Sequence, residues 1–189
     1  MKKEIVSIAG TLGCGKSSTA DLLAKKLGYK RFSSGDFMRK LALKLGISLN
    51  ELSIKAQSDP SIDEKIDAEV KKVGEMNQVV IDSRLAYHFI PNSFKVYLDL
   101  PPEIAKDRIL NNLKENKLRR ESETSTNKEE IYEKIISRRE SEKKRYKELY
   151  DIDHTDKNNY DLVIDTNQNN LKEVADIILK GYKNWLTKD

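Results

Sequence analysis

A three-layer α/β/α sandwich around a five-stranded parallel sheet is the fold class this sequence predicts, and three observations predict it. Short apolar runs alternate with longer charged segments of helical spacing along the whole chain. The apolar runs are nearly continuous, as strands buried on both faces are. The first of them, "IVSIA", leads directly into a glycine-rich turn and then a helix, an order that suits anion binding at a helix N-terminus.

Ile5 to Ala9 reads as the first strand, apolar and bounded by glycine. Lys16 to Leu27 reads as a helix with Ala20, Leu23, Ala24 and Leu27 inward, closed by Gly28. "YKRF" is the second strand, and "SSGD" opens a helix from Phe37 to Leu45 that Gly46 closes. "SLNE", residues 48 to 51, is a capping box that starts another helix. In "DPSIDE", Asp59 can cap and Pro60 suits the first helical position, of a helix running to about Glu75. "QVVID" and "FKVYLDL" are the third and fourth strands, each ending in a carboxylate. "PPEIAKDRILNNLKENK" is a helix begun by proline, whereas "LRRESETSTNK" has no apolar periodicity and is expected to be a mobile loop. "EEIYEKIISRRESEKKRYKELY" is a long charged helix with Ile131, Ile135, Leu149 and the tyrosines as its inner stripe. "YDLVIDT" is the fifth strand, and "NLKEVADIILKGYKNWL" a closing amphipathic helix packed by Trp185.

The 189 residues are about one domain's length, and no repeat or low-complexity linker divides them. With 38% hydrophobic and 35% charged residues, the core should be thin and the helices charged. No apolar stretch approaches the roughly 18 residues that cross a bilayer, and the run after "MKKE" is too short for a signal peptide. The single cysteine, Cys14, excludes an intrachain disulfide and suits a reducing compartment, so a cytoplasmic location is expected. Net charge is +4, and residues 102–150 hold 14 Lys/Arg against 11 Asp/Glu. A nucleic-acid binder would carry a less balanced basic patch. Small-molecule partners, no nucleic acid, no membrane and a monomeric state are expected. His88 and His154 lack metal-ligand spacing, and Tyr29, Tyr146, Tyr150 and Tyr160 read as packing residues.

The chemistry starts at "GTLGCGKSS". Gly10, Gly15, Lys16 and Ser17 match G-x-x-x-x-G-K-[ST], the phosphate loop of P-loop NTPases. The backbone of Gly10, Thr11, Leu12, Gly13, Cys14 and Gly15, with Ser18 beyond, would cradle the phosphates of ATP. Lys16 would reach the β- and γ-phosphates, and the Ser17 hydroxyl would ligand Mg²⁺. Cys14 reads as a small residue tolerated in the loop. A guanine-binding N-K-x-D run is missing, which disfavours a GTPase. A short core with two helical insertions suits a small-molecule kinase with an acceptor clamp and a lid.

"FSSGDFMRKLA", "SDPSIDEKID", "IDSRLAYHF", "RRESEKKRYKELYDID" and "YDLVIDT" occur in this order along nearly the whole chain. Together with the phosphate loop they resemble the archaeal-type cytidylate kinases, a branch of the nucleoside monophosphate kinases. The resemblance implies transfer of the ATP γ-phosphoryl group to CMP or dCMP, with ATP and Mg²⁺ as cofactors. It divides the single domain into a core at about residues 1–32, 77–110 and 160–189, an acceptor-binding insertion at about 33–76, and a lid with its following helix at about 111–150. The alternatives are another monophosphate kinase, such as an adenylate kinase, or a P-loop protein that binds nucleotide without transfer.

The resemblance implies that Arg39, one turn into the helix after "SSGD", would hold the acceptor phosphate, with Asp36 orienting it or touching the acceptor. Arg84 follows the third strand at the sheet's carboxyl edge and would grip the same phosphate bidentately. Asp82 ends that strand and would hold the water shell of Mg²⁺, whereas Asp99 reads as a strand terminator. Arg138, Glu142 and Arg145 fall on one helix face at i, i+4 and i+7. The resemblance implies arginines on phosphate or acceptor there and a carboxylate on the cytosine amino group. Arg139 is the alternative to Arg138, and Arg119 and Arg120 are lid candidates.

Overall fold

The computed structural model describes residues 2–115 and 127–187. Five strands are described, β1 (Ile5–Gly10), β2 (Lys30–Ser33), β3 (Val79–Asp82), β4 (Phe94–Asp99) and β5 (Leu162–Asp165). All pair in parallel, in the order β2-β3-β1-β4-β5. The helices are α1 (Lys16–Leu27), α2 (Ser34–Leu45), α3 (Leu49–Lys55), α4 (Ser61–Gly74), α5 (Ala86–Phe89), α6 (Pro102–Glu115), α7 (Lys128–Tyr150) and α8 (Leu171–Thr187). Arg119, Arg120 and most of the expected loop lie outside the described residues.

Alternation along β1 splits the core in two. Val6 and Ile8 join one cluster with Leu23 of α1 and Ile178 of α8. Ile5 faces the opposite way, with Val70 and Val73 of α4 and Ile90 behind α5. The insertion carries its own small cluster of Ala42, Leu52, Ala56 and Ile62. At the sheet's amino edge the Lys2 ammonium donates to the Trp185 carbonyl at 2.6 Å, and Trp185 packs on Phe94 with ring centroids 5.7 Å apart.

Most helix ends follow their local chemistry. Gly28 and Gly46 close α1 and α2 in the left-handed conformation. Ser48 and Glu51 form the reciprocal capping box of α3. Pro60 sits one place before α4 instead of inside it, while Asp59 accepts from the Ser61 amide at 3.2 Å. Helix α5 is four residues long, too short to show a period, and was not predicted. Leu149 departs from the expected inner stripe of α7, being 38% exposed. Ile131 and Ile135 anchor the first half of that helix, but the buried face of its second half is Ser141, Glu142, Arg145 and Tyr146.

Gly10 is required twice over. Its φ is +143°, and a Cβ there would lie 2.1 Å from the Leu98 carbonyl oxygen of β4. Gly28 has only the dihedral requirement, with φ +71° and open space around it. In urea denaturation Gly28→Ala is expected to cost about 1–2 kcal/mol for the left-handed backbone. Gly10→Ala is expected to cost more, since strand β4 must move; equal losses would contradict the close approach.

Candidate active site

The phosphate loop joins the carboxyl end of β1, the central strand, to α1. Thr11 donates its amide to the Leu98 carbonyl at 3.1 Å, pinning the loop's start to β4. Gly13 is at φ +77°, and a Cβ there would meet Ala105 of α6 at 2.9 Å. Motif spacing leaves that position free; packing does not. No side chain caps α1 and no acid lies in its first turn, so its amide groups and positive end face an incoming anion. The Lys16 ammonium lies across the loop, donating to the carbonyls of Gly10 at 2.9 Å and Thr11 at 2.6 Å. Burial pulls its pKa below the usual value; Cys14 opposes this and Arg84 adds to it. An arriving phosphate restores the favourable field. Cys14 itself is buried among the apolar residues under the loop.

Facing the loop is a cleft of about 1040 Å³, mouth included, at the carboxyl edge where the strand order reverses. Asp82 closes β3 beside Ile8 of β1. Its Oδ2 accepts from Ser17 Oγ at 2.8 Å, so the two residues expected at the metal adjoin. A hydroxyl beside a carboxylate is a hard oxygen set that fits Mg²⁺, which takes few protein ligands beside phosphate and water.

Arg84 follows β3 and is half-buried in the cleft wall. Its Nε meets Glu142 Oε2 of α7 at 2.6 Å. Both stay charged. Burial raises the Glu142 carboxyl, but Arg84 and then Arg138 outweigh it and hold it below its usual range. Arg138 and Arg39 line the same cleft, whereas Arg139 faces a smaller groove beside Gly10, Thr11 and Leu12.

Two expected site residues are placed differently. Asp36 does not line the cleft. Its carboxylate is held by Arg31 Nη1 at 2.5 Å and Arg39 Nη1 at 3.2 Å, so it orients Arg39 from behind. Arg31, unremarked in the sequence, also meets Asp21 of α1 at 3.1 Å and lies 3.8 Å from Asp82. Arg145 lines the cleft but is 3% exposed and internally bonded. Its Nε meets Asp63 Oδ2 at 2.8 Å, and its Nη1 donates to Ser141 Oγ at 2.6 Å and the Ser53 carbonyl at 3.0 Å. That makes it a brace between α7 and the insertion.

His154, Tyr160 and Asp99 are held in structural contacts. His154 packs edge-on against Tyr146, and burial pushes its pKa down to about 4, leaving it neutral near pH 7. Tyr160 packs at a tilt between Tyr87 and Tyr97 and donates to the His154 carbonyl at 2.7 Å. Asp99 ends β4 and pairs with Lys157 at 2.6 Å.

A phosphate loop on the central strand, facing an arginine wall built by inserted helices, is the architecture of the small P-loop kinases. The overall likeness extends to shikimate kinase from Acinetobacter baumannii in complex with shikimate, with TM-score 0.60 and 17% identity over 98% of this chain and 96% of that one. The chain belongs to the cytidylate kinase-like family, whose model matches residues 5–168. It is 38% identical over 183 residues to the cytidylate kinase of Methanocella arvoryzae, covering 94% of this chain and 95% of that protein. It is 34% identical over 178 residues to that of Archaeoglobus fulgidus, covering 93% of each. The chain is accordingly an ATP-dependent nucleoside monophosphate kinase.

A titration checks one of the site's buried carboxylates. Asp67 of α4 is 5% exposed, and the Tyr150 hydroxyl donates to its Oδ2. Burial pushes its carboxyl up to about 6; Tyr150 and Lys71 oppose this, while Asp63 and Glu64 reinforce it. In the unfolded chain it titrates near 3.9. Its stabilising share is therefore complete below about pH 4 and lost as pH rises through about 6. Asp67→Asn cannot ionise, so its melting temperature relative to wild type is expected to rise between about pH 5 and pH 7.5 in calorimetry. A pH-independent difference would contradict the assignment.

Proposed function

We propose that the chain transfers the γ-phosphoryl group of ATP to CMP or dCMP, giving ADP and CDP or dCDP. The observation that carries this reading is the opposition of two anion sites across one cleft, the Lys16 loop on one wall and Arg84, Arg39 and Arg138 on the other. The acceptor's phosphate oxygen is already a competent nucleophile near neutral pH. A bond forms from that oxygen to the γ-phosphorus as the bond to the β–γ bridging oxygen breaks, and ADP leaves with the electron pair. No general base is needed, so catalysis is positioning and charge neutralisation.

Each residue then has a task. The loop from Gly10 to Gly15, with Lys16, Ser17 and Ser18, binds the donor phosphates. Arg84 and Arg39 hold the acceptor phosphate; Glu142 fixes Arg84, and Asp36 fixes Arg39. Arg138 faces the group in transfer, and Arg145 keeps α7 at the right distance. Ser17 and Asp82 would hold Mg²⁺, which supplies charge neutralisation on the donor phosphates when bound. The soluble, cytoplasmic, monomeric setting belongs to the same proposal.

A coupled assay with ATP and AMP, CMP, dCMP, UMP or GMP tests it. CMP and dCMP are expected to lead, and turnover with AMP far above CMP would reject the choice of acceptor. Lys16→Ala is expected to lower kcat by about 10²–10³-fold with the fold intact by circular dichroism. Arg84→Lys keeps the charge beside Glu142 but loses the fork. It is expected to raise KM for CMP by about 10–100-fold and leave KM for ATP nearly unchanged. Equal changes in both would remove Arg84 from the acceptor site.

A further inference from the structure

Among the described residues four buried carboxylates line the cleft; Asp82 adjoins Ser17 beside the phosphate loop, and of the three that face or belong to α7 two have a cation. Glu142 is paired with Arg84, and Asp63 with Arg145. The third, Asp67, has none among the described residues. Its Oδ2 accepts from the Tyr150 hydroxyl, which stands behind it outside the cleft lining, and its Oδ1 is left for the cleft.

The three pairs run in order along α7, at Glu142, Arg145 and Tyr150. Glu142 marks the phosphate end, since its partner Arg84 adjoins the Asp82 strand end. Tyr150 is eight residues further on, about 12 Å along the axis, comparable to the reach of a nucleotide from phosphate to base edge. The lining of the same cleft also carries apolar side chains, Met38, Leu49 and Ile66, the last next to Asp67 in the chain. Such a wall accepts a planar ring and leaves one carboxylate to read its edge.

We propose that Asp67 is the residue that reads the acceptor's base, its free carboxylate oxygen accepting a hydrogen bond from the exocyclic amino group of cytosine. Tyr150 is its positioning residue. The inference rests on the phosphotransfer reading and moves base recognition from Glu142, whose carboxylate is committed to Arg84, to the other end of the helix. Uracil presents a carbonyl oxygen where cytosine presents the amino group. A carboxylate facing it is left unpaired and repelled, the kind of mismatch a polar site rejects strongly. Adenine carries an amino group too, so Asp67 selects against uracil and guanine edges, and the size of the apolar wall must select against adenine.

The test measures kcat/KM for CMP and UMP in the wild type, Asp67→Asn and Tyr150→Phe. In the first variant the carbonyl of the introduced amide still accepts from Tyr150, while its amino group donates to uracil. The CMP-to-UMP ratio is expected to fall by roughly 10–100-fold, through KM, with KM for ATP unchanged. Tyr150→Phe is expected to lower the ratio by a smaller factor with kcat kept. A uniform loss on CMP and UMP, with the ratio unchanged, overturns the proposal. Should Asp67→Asn not fold, the ratio in Tyr150→Phe decides in the same way. If the wild type phosphorylates neither nucleotide, the phosphotransfer reading fails. Binding titrations of CMP and UMP to the same proteins then still decide Asp67, an unchanged affinity ratio overturning it.

Discussion

The contact between Arg84 and Glu142 ties the sheet's carboxyl edge to a helix that apolar packing alone would not hold. Helix α7 is 23 residues long, and only its first half sets isoleucines into the core. The second half is fastened by polar pairs to Arg84, Asp63 and Asp67, the last two on α4. Withdrawing one partner from a buried pair typically costs about 3–5 kcal/mol, because the other charge is stranded. Cleft geometry and local stability are therefore one property here. The groups that line the cleft also hold its wall in place.

The opposite wall is built differently. The phosphate loop contributes mainly backbone, and its shape comes from places where a side chain would collide. Gly10 and Gly13 bring the chain within reach of β4 and α6, and Lys16 is parked on two carbonyls at the site of use. Little conformational freedom is left to lose when a phosphate arrives. One wall is thus prepared by sterics and the other by charge pairing.

This division explains what the sequence revealed. The strands were legible because burial on both faces leaves a nearly continuous apolar run, as in "IVSIA" and "VYL". The phosphate loop was legible because its glycines and lysine are consecutive and carry their own geometry. Arg84 was legible from its place after a strand. The far wall was not. Leu149 fits a hydrophobic stripe by spacing, but the buried face at that end of α7 is charged, with Glu142 and Arg145 inward. For Asp36 the local pattern offers both a contact to Arg39 and one to the acceptor; the pairing with Arg31 of β2, which decides for the first, is announced by nothing nearby in the chain. Asp63 and Asp67 are one helical turn apart in a helix full of acids, where burial alone separates them from Glu64 and Glu69. Pairings between distant elements decide such roles, and those are properties of the folded molecule.

The bond from Lys2 to the Trp185 carbonyl brings two remote stretches of polypeptide side by side beneath the sheet. The six residues of β1 then span about 20 Å before the backbone reaches the phosphate loop. Anything covalently joined near either stretch would hang from the floor of the molecule, a full sheet height from the opening through which nucleotides enter and leave.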